Sequence, residues 1–321
     1  MMLGCSLGSL LTVRQVLDSA KTLARYKVHS VWIPETWGME SVAMLSAVSG
    51  VVPHLVGSSI INAYSRTPSL IAMGAATLDA ISQGRLILGL GSSSMPIVED
   101  LHGKRFDNPL TRMEECIDVI RMAVAGQKIR YNGRHFKLKG FRLLIKPHRN
   151  RIPIYLAAVN QKMVELAWRK ADGVLFYLRP LTEMKKTIDM MQKKRKIVVC
   201  LQIITAVSPD SEKARARART TLAFYVSVGE IYRKFLAENG FARETACVLN
   251  EYKRAGLPAA ANAIPDTMLD TLAVSGTPIE CRKKMAEFAD AGLDVPIIQF
   301  NPVDSVSESM KLTAETFFEK L

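Results

Sequence analysis

Short apolar runs alternate with amphipathic stretches along most of the 321-residue chain. The runs MLGCSLG (2–8), HSVWIP (29–34), HLVGSSII (54–61), RLILGLG (85–91), IPIYLAA (152–158), GVLFYL (173–178), KIVVCLQIITA (196–206) and VPIIQF (295–300) have the length and composition of buried strands. Between most of them the apolar positions recur at helical spacing. Parallel strands need crossover connections, and eight strand–helix units in succession close on themselves, so the pattern predicts an α/β fold, a (β/α)8 TIM barrel.

Local chemistry marks the helix ends. Thr12 is placed to cap the first helix, Pro68 sits just inside the third, and Gly84 ends it before Arg85 opens the next strand. Two stretches leave the alternation, although residues 1–321 read as one barrel domain. Residues 126–150 hold an Asn-Gly dipeptide between alternating polar and apolar positions, which predicts a β-hairpin insertion on the helix-to-strand side. Residues 210–275 read as a mostly helical insertion, in which AGLPAAANAIP is either a mobile loop over the barrel mouth or a plain connector.

Composition adds limits. No stretch approaches the roughly 18 apolar residues that cross a bilayer, and the opening segment lacks a secretory signal's basic start and cleavage site. Five scattered cysteines fit reduced thiols better than a disulfide framework or a zinc site, so a cytoplasmic location is expected. The net charge of +13 reads as diffuse, on the helix faces of KKTIDMMQKKRK, EKARARAR and CRKKMAE, with attraction of an anionic cofactor or substrate as the alternative. Neither a nucleic-acid nor a membrane partner is expected.

In such a barrel the chemistry stands at the carboxyl ends of the strands. Those ends are Ser6 to Ser9, Pro34 to Trp37, Ser59 to Tyr64, Gly91 to Ser94, Ala157 to Gln161, Tyr177 to Arg179, and Asn301. They carry few charges and show neither a metal set nor a hydrolase triad. Small residues and hydroxyls prevail, which suits a large planar ligand lying close to the backbone. Gly91, Ser92, Ser93 and Ser94 would offer N–H groups and hydroxyls to a heterocycle. Ala157, Ala158, Val159, Asn160 and Gln161, where a helix begins, would offer N–H groups and the positive end of its dipole to a phosphate, with Lys162 adding charge. Each is also explained as an ordinary loop, and Gly57 with its serines as a bulge that eases barrel curvature.

The stretch SRTPSLIAMGAATLDAISQGRLILGLGSSS (65–94) resembles the signature of the bacterial luciferase-like flavin and deazaflavin oxidoreductases, with Arg66, Pro68, Thr77, Leu78, Asp79, Ser82, Gly84, Arg85, Gly89 and Gly91 in register. YNGRHFKLKGFRL…IPIYLAA, ADGVLF and SGTPIECRKKMAEFADAGLD extend the resemblance over nearly the whole chain. NAYSRTP is similar to a stretch of the coenzyme F420-dependent branch that includes methylenetetrahydromethanopterin reductase.

That resemblance implies a luciferase-like barrel whose third strand carries a bulge, closed by a non-prolyl cis peptide at Ser59-Ile60, on which the cofactor's central ring rests. It implies hydride transfer between F420 and a small organic substrate, with FMN and a monooxygenase or reductase reaction as the alternative. A cofactor-binding barrel without catalysis is a third reading. Ser6, Glu35, Ser59, Ile60, Ile61, Asn62, Gly91 to Ser93 and Ala157 to Gln161 become the cofactor contacts, and Glu35, Thr36 and Ser94 the catalytic candidates. The chain departs from the reductase pattern at Ser6 and Ser94, where that pattern places carboxylates, which leaves Glu35 as cofactor contact and proton donor. Homodimers or higher homo-oligomers are implied, paired through barrel helices and the insertions, and the apolar AIS…LGL region (80–90) is consistent with such association.

Overall fold

A computed structural model describes residues 2–8 and 10–321; Ser9, among the expected strand-end residues, lies outside them. The strands are β1 (Gly4–Ser6), β2 (Ser30–Ile33), β3 (Leu55–Ser58), β4 (Ile61–Asn62), β5 (Leu86–Gly91), β6 (Ile129–Asn132), β7 (Lys137–Phe141), β8 (Ile154–Ala157), β9 (Gly173–Tyr177), β10 (Val198–Val207), β11 (Ala273–Gly276) and β12 (Val295–Phe300). β1, β2, β3, β5, β8, β9, β10 and β12 pair in parallel in that order, and β12 returns to β1, so the eight expected runs close a TIM barrel. β11 adds a parallel strand beside the far end of β10.

The helices are α1 (Val13–Leu23), α2 (Ser41–Ser49), α3 (Pro68–Ile81), α4 (Pro109–Val124), α5 (Gln161–Lys170), α6 (Leu181–Gln192), α7 (Ser211–Val228), α8 (Glu230–Leu236), α9 (Ala242–Asn262), α10 (Asp266–Leu272), α11 (Pro278–Ala289) and α12 (Val306–Phe317). Thr12 caps α1 in a reciprocal box with Gln15, and Thr67 caps α3 ahead of Pro68, so orphan N–H groups are met by side chains. Gly84 takes φ +80°, a conformation other residues adopt at a cost.

The main core lies between the strands and the outer helices, and a smaller one fills the barrel floor with Trp32, Ile87, Tyr155, Leu175, Cys200, Val295 and Ile297. Gly57 belongs to this floor. A Cβ there would stand 2.4 Å from Trp32 Cε3, so the glycine makes room for the indole of the adjacent strand. The curvature explanation and the planar-ligand explanation are both displaced at this residue by packing.

β6 and β7 form the expected antiparallel hairpin. The buried Glu115 carboxylate on α4 accepts the N–H groups of Arg134 (2.6 Å), His135 (2.9 Å) and Phe136 (3.1 Å), tying down the Asn132-Gly133 turn. A third apolar cluster joins α7, α9 and α10 to β10 and β11. Residues 255–262, expected as a loop or connector, are helical within α9 apart from a kink at Gly256. In the AIS…LGL region Leu88 and Leu90 are buried in β5, while Ala80 and Ile81 at the end of α3 are exposed.

Candidate active site

β3 pairs with β5 through Gly57 and Ile87, and β4 resumes the pairing through Ile61 and Leu90. The first path covers four residues where the second covers three, so one residue bulges from the sheet. Ser58 fills the gap: its Oγ donates to the Gly89 carbonyl at 2.8 Å and accepts the Gly89 N–H at 2.9 Å. The Ser59-Ile60 bond is cis, at the position implied by the resemblance. Ser59 N–H donates to the Ile33 carbonyl at 2.9 Å, and its hydroxyl lies 3.5 Å from that of the buried Ser6.

Beyond the bulge, Ile61 is buried and Asn62 turns its amide inward. Asn62 Oδ1 accepts the Tyr64 N–H at 2.8 Å, while Nδ2 is buried without a hydrogen-bond partner among the described residues. A buried donor of this kind implies a ligand or water to receive it. Gly91 faces Ile60: a Cβ would stand 2.7 Å from Ile60 Cδ1. Ser92, Ser93 and Ser94 follow half-buried, Ser93 at φ +60°, and the Ser94 carbonyl accepts the Val98 N–H. Tyr64 is a packing residue, its hydroxyl donating to the Asp107 carbonyl at 2.6 Å.

Glu35 is occupied. Arg66 Nη1 and Nη2 reach its two oxygens at 2.5 and 2.8 Å, and the Ser41 N–H at the start of α2 donates to Oε2 at 3.1 Å. Arg66 also reaches Glu40, whose other oxygen caps α2. With both oxygens taken up by Arg66 and the α2 N–H, the carboxylate holds its loop in place, a positioning part rather than a free proton donor. Thr36 is half-buried beside it, and Trp37, 60% exposed, leans on Phe224 of α7 with ring centroids 6.0 Å apart.

At the end of β8 the five expected residues divide. Ala157 is half-buried on the barrel side, and the Ala158 N–H donates to the Leu175 carbonyl, which removes it from ligand contact. Asn160 caps α5 through Oδ1 to the Met163 N–H at 3.0 Å. Gln161 and Lys162 open the helix, where N–H groups have no intrahelical acceptor. The loop is pinned from behind by Arg179, 3% exposed, which donates to the Val159 carbonyl at 2.5 Å and to Glu183. Phe176 and Phe235 flank its guanidinium at 4.2 and 4.6 Å.

Opposite the bulge stands a wall that sequence reasoning missed. The Tyr177 hydroxyl donates to Gln299 Oε1 at 2.7 Å, and Tyr225 and Tyr232 meet the Tyr177 ring edge-on at 4.9 and 5.4 Å. Burial pushes all three phenols above their ordinary range, so they stay neutral donors. Gln202, paired in register with Tyr177, holds a buried Oε1 with no partner among the described residues. The available signal was an amide inside each apolar run, CLQII and IIQF. Asn301, expected at the site, instead accepts from the Thr221 hydroxyl and donates to the Gln299 carbonyl.

The model of the luciferase-like monooxygenase family matches residues 3–295. A 5,10-methylenetetrahydromethanopterin reductase of Archaeoglobus fulgidus is 27% identical over 90% of this chain and 90% of its own length. A putative coenzyme F420-dependent oxidoreductase of Mycobacterium tuberculosis is 28% identical over 87% and 88%. The F420-dependent tetrahydromethanopterin reductase structure from Methanopyrus kandleri superposes with a TM-score of 0.86 over 98% of this chain and 97% of that one, at 19% identity, which shows the shared barrel. By the extent of the family match, this chain belongs to the luciferase-like monooxygenase family.

Proposed function

We infer that the protein is an F420-dependent oxidoreductase that passes hydride between the deazaflavin and a small organic substrate. The observation that carries this reading is the unpartnered Asn62 amide, buried beside a one-residue bulge at the carboxyl end of the barrel. A flat heterocycle with carbonyl groups on its edge fits there. The relatives named above support F420 over other planar cofactors.

The bulge at Ser59 and Ile60 would lie beneath the ring, Asn62 Nδ2 would donate to its edge, and Ser92 to Ser94 would add hydroxyls and N–H groups. Val159, Asn160 and Gln161, with Lys162, would face the phosphate across the start of α5. F420 bound there would supply or accept the hydride. The chain's own residues hold that ring and the substrate at contact distance and exclude water, which is where a barrel contributes most. Tyr177, Gln202 and Gln299 form the wall across the mouth, and Glu35 fixes the loop bearing Thr36 and Trp37.

Ser6 and Ser94 carry no charge to steady a cationic intermediate, so a neutral substrate suits the site better than methylenetetrahydromethanopterin. A second copy would pack on α3, where Leu70, Met73 and Ile81 stand exposed.

Titration of the purified protein with F420, and separately with FMN, tests the cofactor. We expect saturable F420 binding, with FMN at least about tenfold weaker, a gap of about 1.4 kcal/mol. The reverse order selects the flavin reading, and silence to both selects a barrel without this chemistry.

A further inference from the structure

The positive charge is concentrated, which corrects the expectation of a diffuse distribution. Residues 126–152 contain nine Lys and Arg and no Asp or Glu, so the rest of the chain, with 34 basic and 30 acidic residues, carries only +4 of the net +13. Arg149 and Arg151 are engaged by Asp79 and Asp172. The other seven, Lys128, Arg130, Arg134, Lys137, Lys139, Arg142 and Lys146, are exposed and form no ion pair among the described residues. Within the hairpin, Arg130 stands directly opposite Lys139, a like-charge pairing that costs stability unless an anion covers it.

The same segment ends in bare apolar side chains. Phe141 is 84% exposed, Leu144 is 100% exposed and Ile145 is 37% exposed, interleaved with Arg142 and Lys146. The hairpin joins the end of α4 to the start of β8, which places it on the barrel end opposite the mouth. Lys193, Lys194 and Lys196, in the loop from α6 to β10, are exposed on that same end.

We propose that this end of the barrel docks on an anionic lipid surface, with the β6–β7 hairpin cations facing the headgroups and Phe141 and Leu144 entering the boundary of the acyl region. An isologous contact with a second copy would set seven free cations against seven. A groove-bound acidic peptide would leave Leu144, at the tip of a loop, without a cavity to fill. A planar anionic layer meets both features, because charge attraction and apolar insertion add. The orientation leaves the mouth open to water. Among the described residues no helix is long and apolar enough to cross a membrane, and docking on a lipid surface needs none. This inference does not depend on the identity of the cofactor.

Cosedimentation of the full chain with phosphatidylcholine vesicles, with and without about one-quarter phosphatidylglycerol, tests it. We expect on the order of tenfold or greater preference for the anionic vesicles, lost in high salt. The variant K137E/K139E/R142E/K146E should lose that preference, and Leu144→Asp should weaken binding severalfold. Phe141→Trp should show a blue-shifted emission on the anionic vesicles alone. F420 or FMN binding, remote from the hairpin, should be unchanged in all three. Equal binding to neutral vesicles, or no binding, overturns the proposal. So does binding that ignores Leu144→Asp while duplex DNA or an acidic polypeptide competes, since that marks a polyelectrolyte site. Loss of a dimer in the charge-reversed variant by light scattering would assign the face to a second copy and overturn it as well. Should that variant misfold by circular dichroism, the salt dependence and the Phe141→Trp emission decide alone.

Discussion

Arg66 grips Glu35 across 31 residues of sequence, with both guanidinium nitrogens on both carboxylate oxygens at 2.5 and 2.8 Å. The pair links the loop after β2 to the segment after β4 and is largely shielded from solvent. Removing one partner leaves the other charge partly buried and alone. Glu35→Gln and Arg66→Ala should each lower the unfolding free energy by about 2 kcal/mol, and the double variant should lose less than the sum of the two. Denaturant unfolding of the four proteins measures this. Strictly additive losses would show that the two residues do not act together.

Asn62 divides its work between its two amide atoms. Asn62→Asp keeps the oxygen that accepts the Tyr64 N–H and removes the unpartnered donor. Cofactor affinity should drop at least about tenfold, as for one lost hydrogen bond to a buried partner, and the melting temperature should fall as well, because an unpaired carboxylate is buried in its place. Equilibrium titration beside a thermal melt separates the two effects, and unchanged affinity would remove Asn62 from the site.

Two glycines of β5 should respond differently to alanine. At Gly89 a Cβ would lie 1.8 Å from the Ser58 carbonyl oxygen, so Gly89→Ala should fail to fold or unfold early. At Gly91 the first atoms met belong to the Ile60 side chain at 2.7 and 2.8 Å, which can shift. Gly91→Ala should therefore fold and bind cofactor less tightly. Comparing soluble yield, melting temperature and affinity of the two variants checks the contrast.

Alkaline pH should unfold the protein earlier than its ion pairs alone would suggest. Burial pushes the Cys5 and Cys116 thiols and the Tyr64 phenol up to about 12. In the unfolded chain a thiol ionises near about 8.5 and a phenol near about 10. The native state thus holds more protons between those values and about 12, so its stability is full below the window and falls as pH rises through it. Urea midpoints measured from neutral to alkaline pH should fall progressively. A flat profile would mean these groups are open to solvent.

Cysteine accessibility offers a quick check of the packing. Cys5, Cys116, Cys200 and Cys281 are buried, and Cys247 on α9 is exposed. An aromatic disulfide reagent should therefore titrate one thiol rapidly in the native protein and five after denaturation.

The barrel strands were legible because both of their faces are buried, which leaves short continuous apolar runs such as IPIYLAA and VPIIQF with little else to be. Their carboxyl ends followed from topology alone. The Tyr177, Tyr225 and Gln299 wall did not. Its members come from β9, α7 and β12, and only closure of the barrel brings the Tyr177 hydroxyl to an amide 122 residues away. Glu35 looked available for the same reason: nothing local announces that Arg66 will reach it. Gly57 was read toward a ligand when its need lies in the Trp32 ring one strand over. The hairpin is visible from its Asn-Gly turn, while its charge, interleaved with apolar residues, is less conspicuous than the Lys and Arg runs of the helices.

The double bond of Ser58 to Gly89 has a bearing on how this barrel tolerates change. One hydroxyl satisfies both main-chain groups of Gly89 that a regular ladder would have paired with the neighbouring strand. The departure of the chain from the sheet is thereby encoded one position before the departure itself. Side chains at 59 and 60 are left free to diversify, and a designer seeking a new ligand for the scaffold would randomise those two while leaving 58 and 89 untouched.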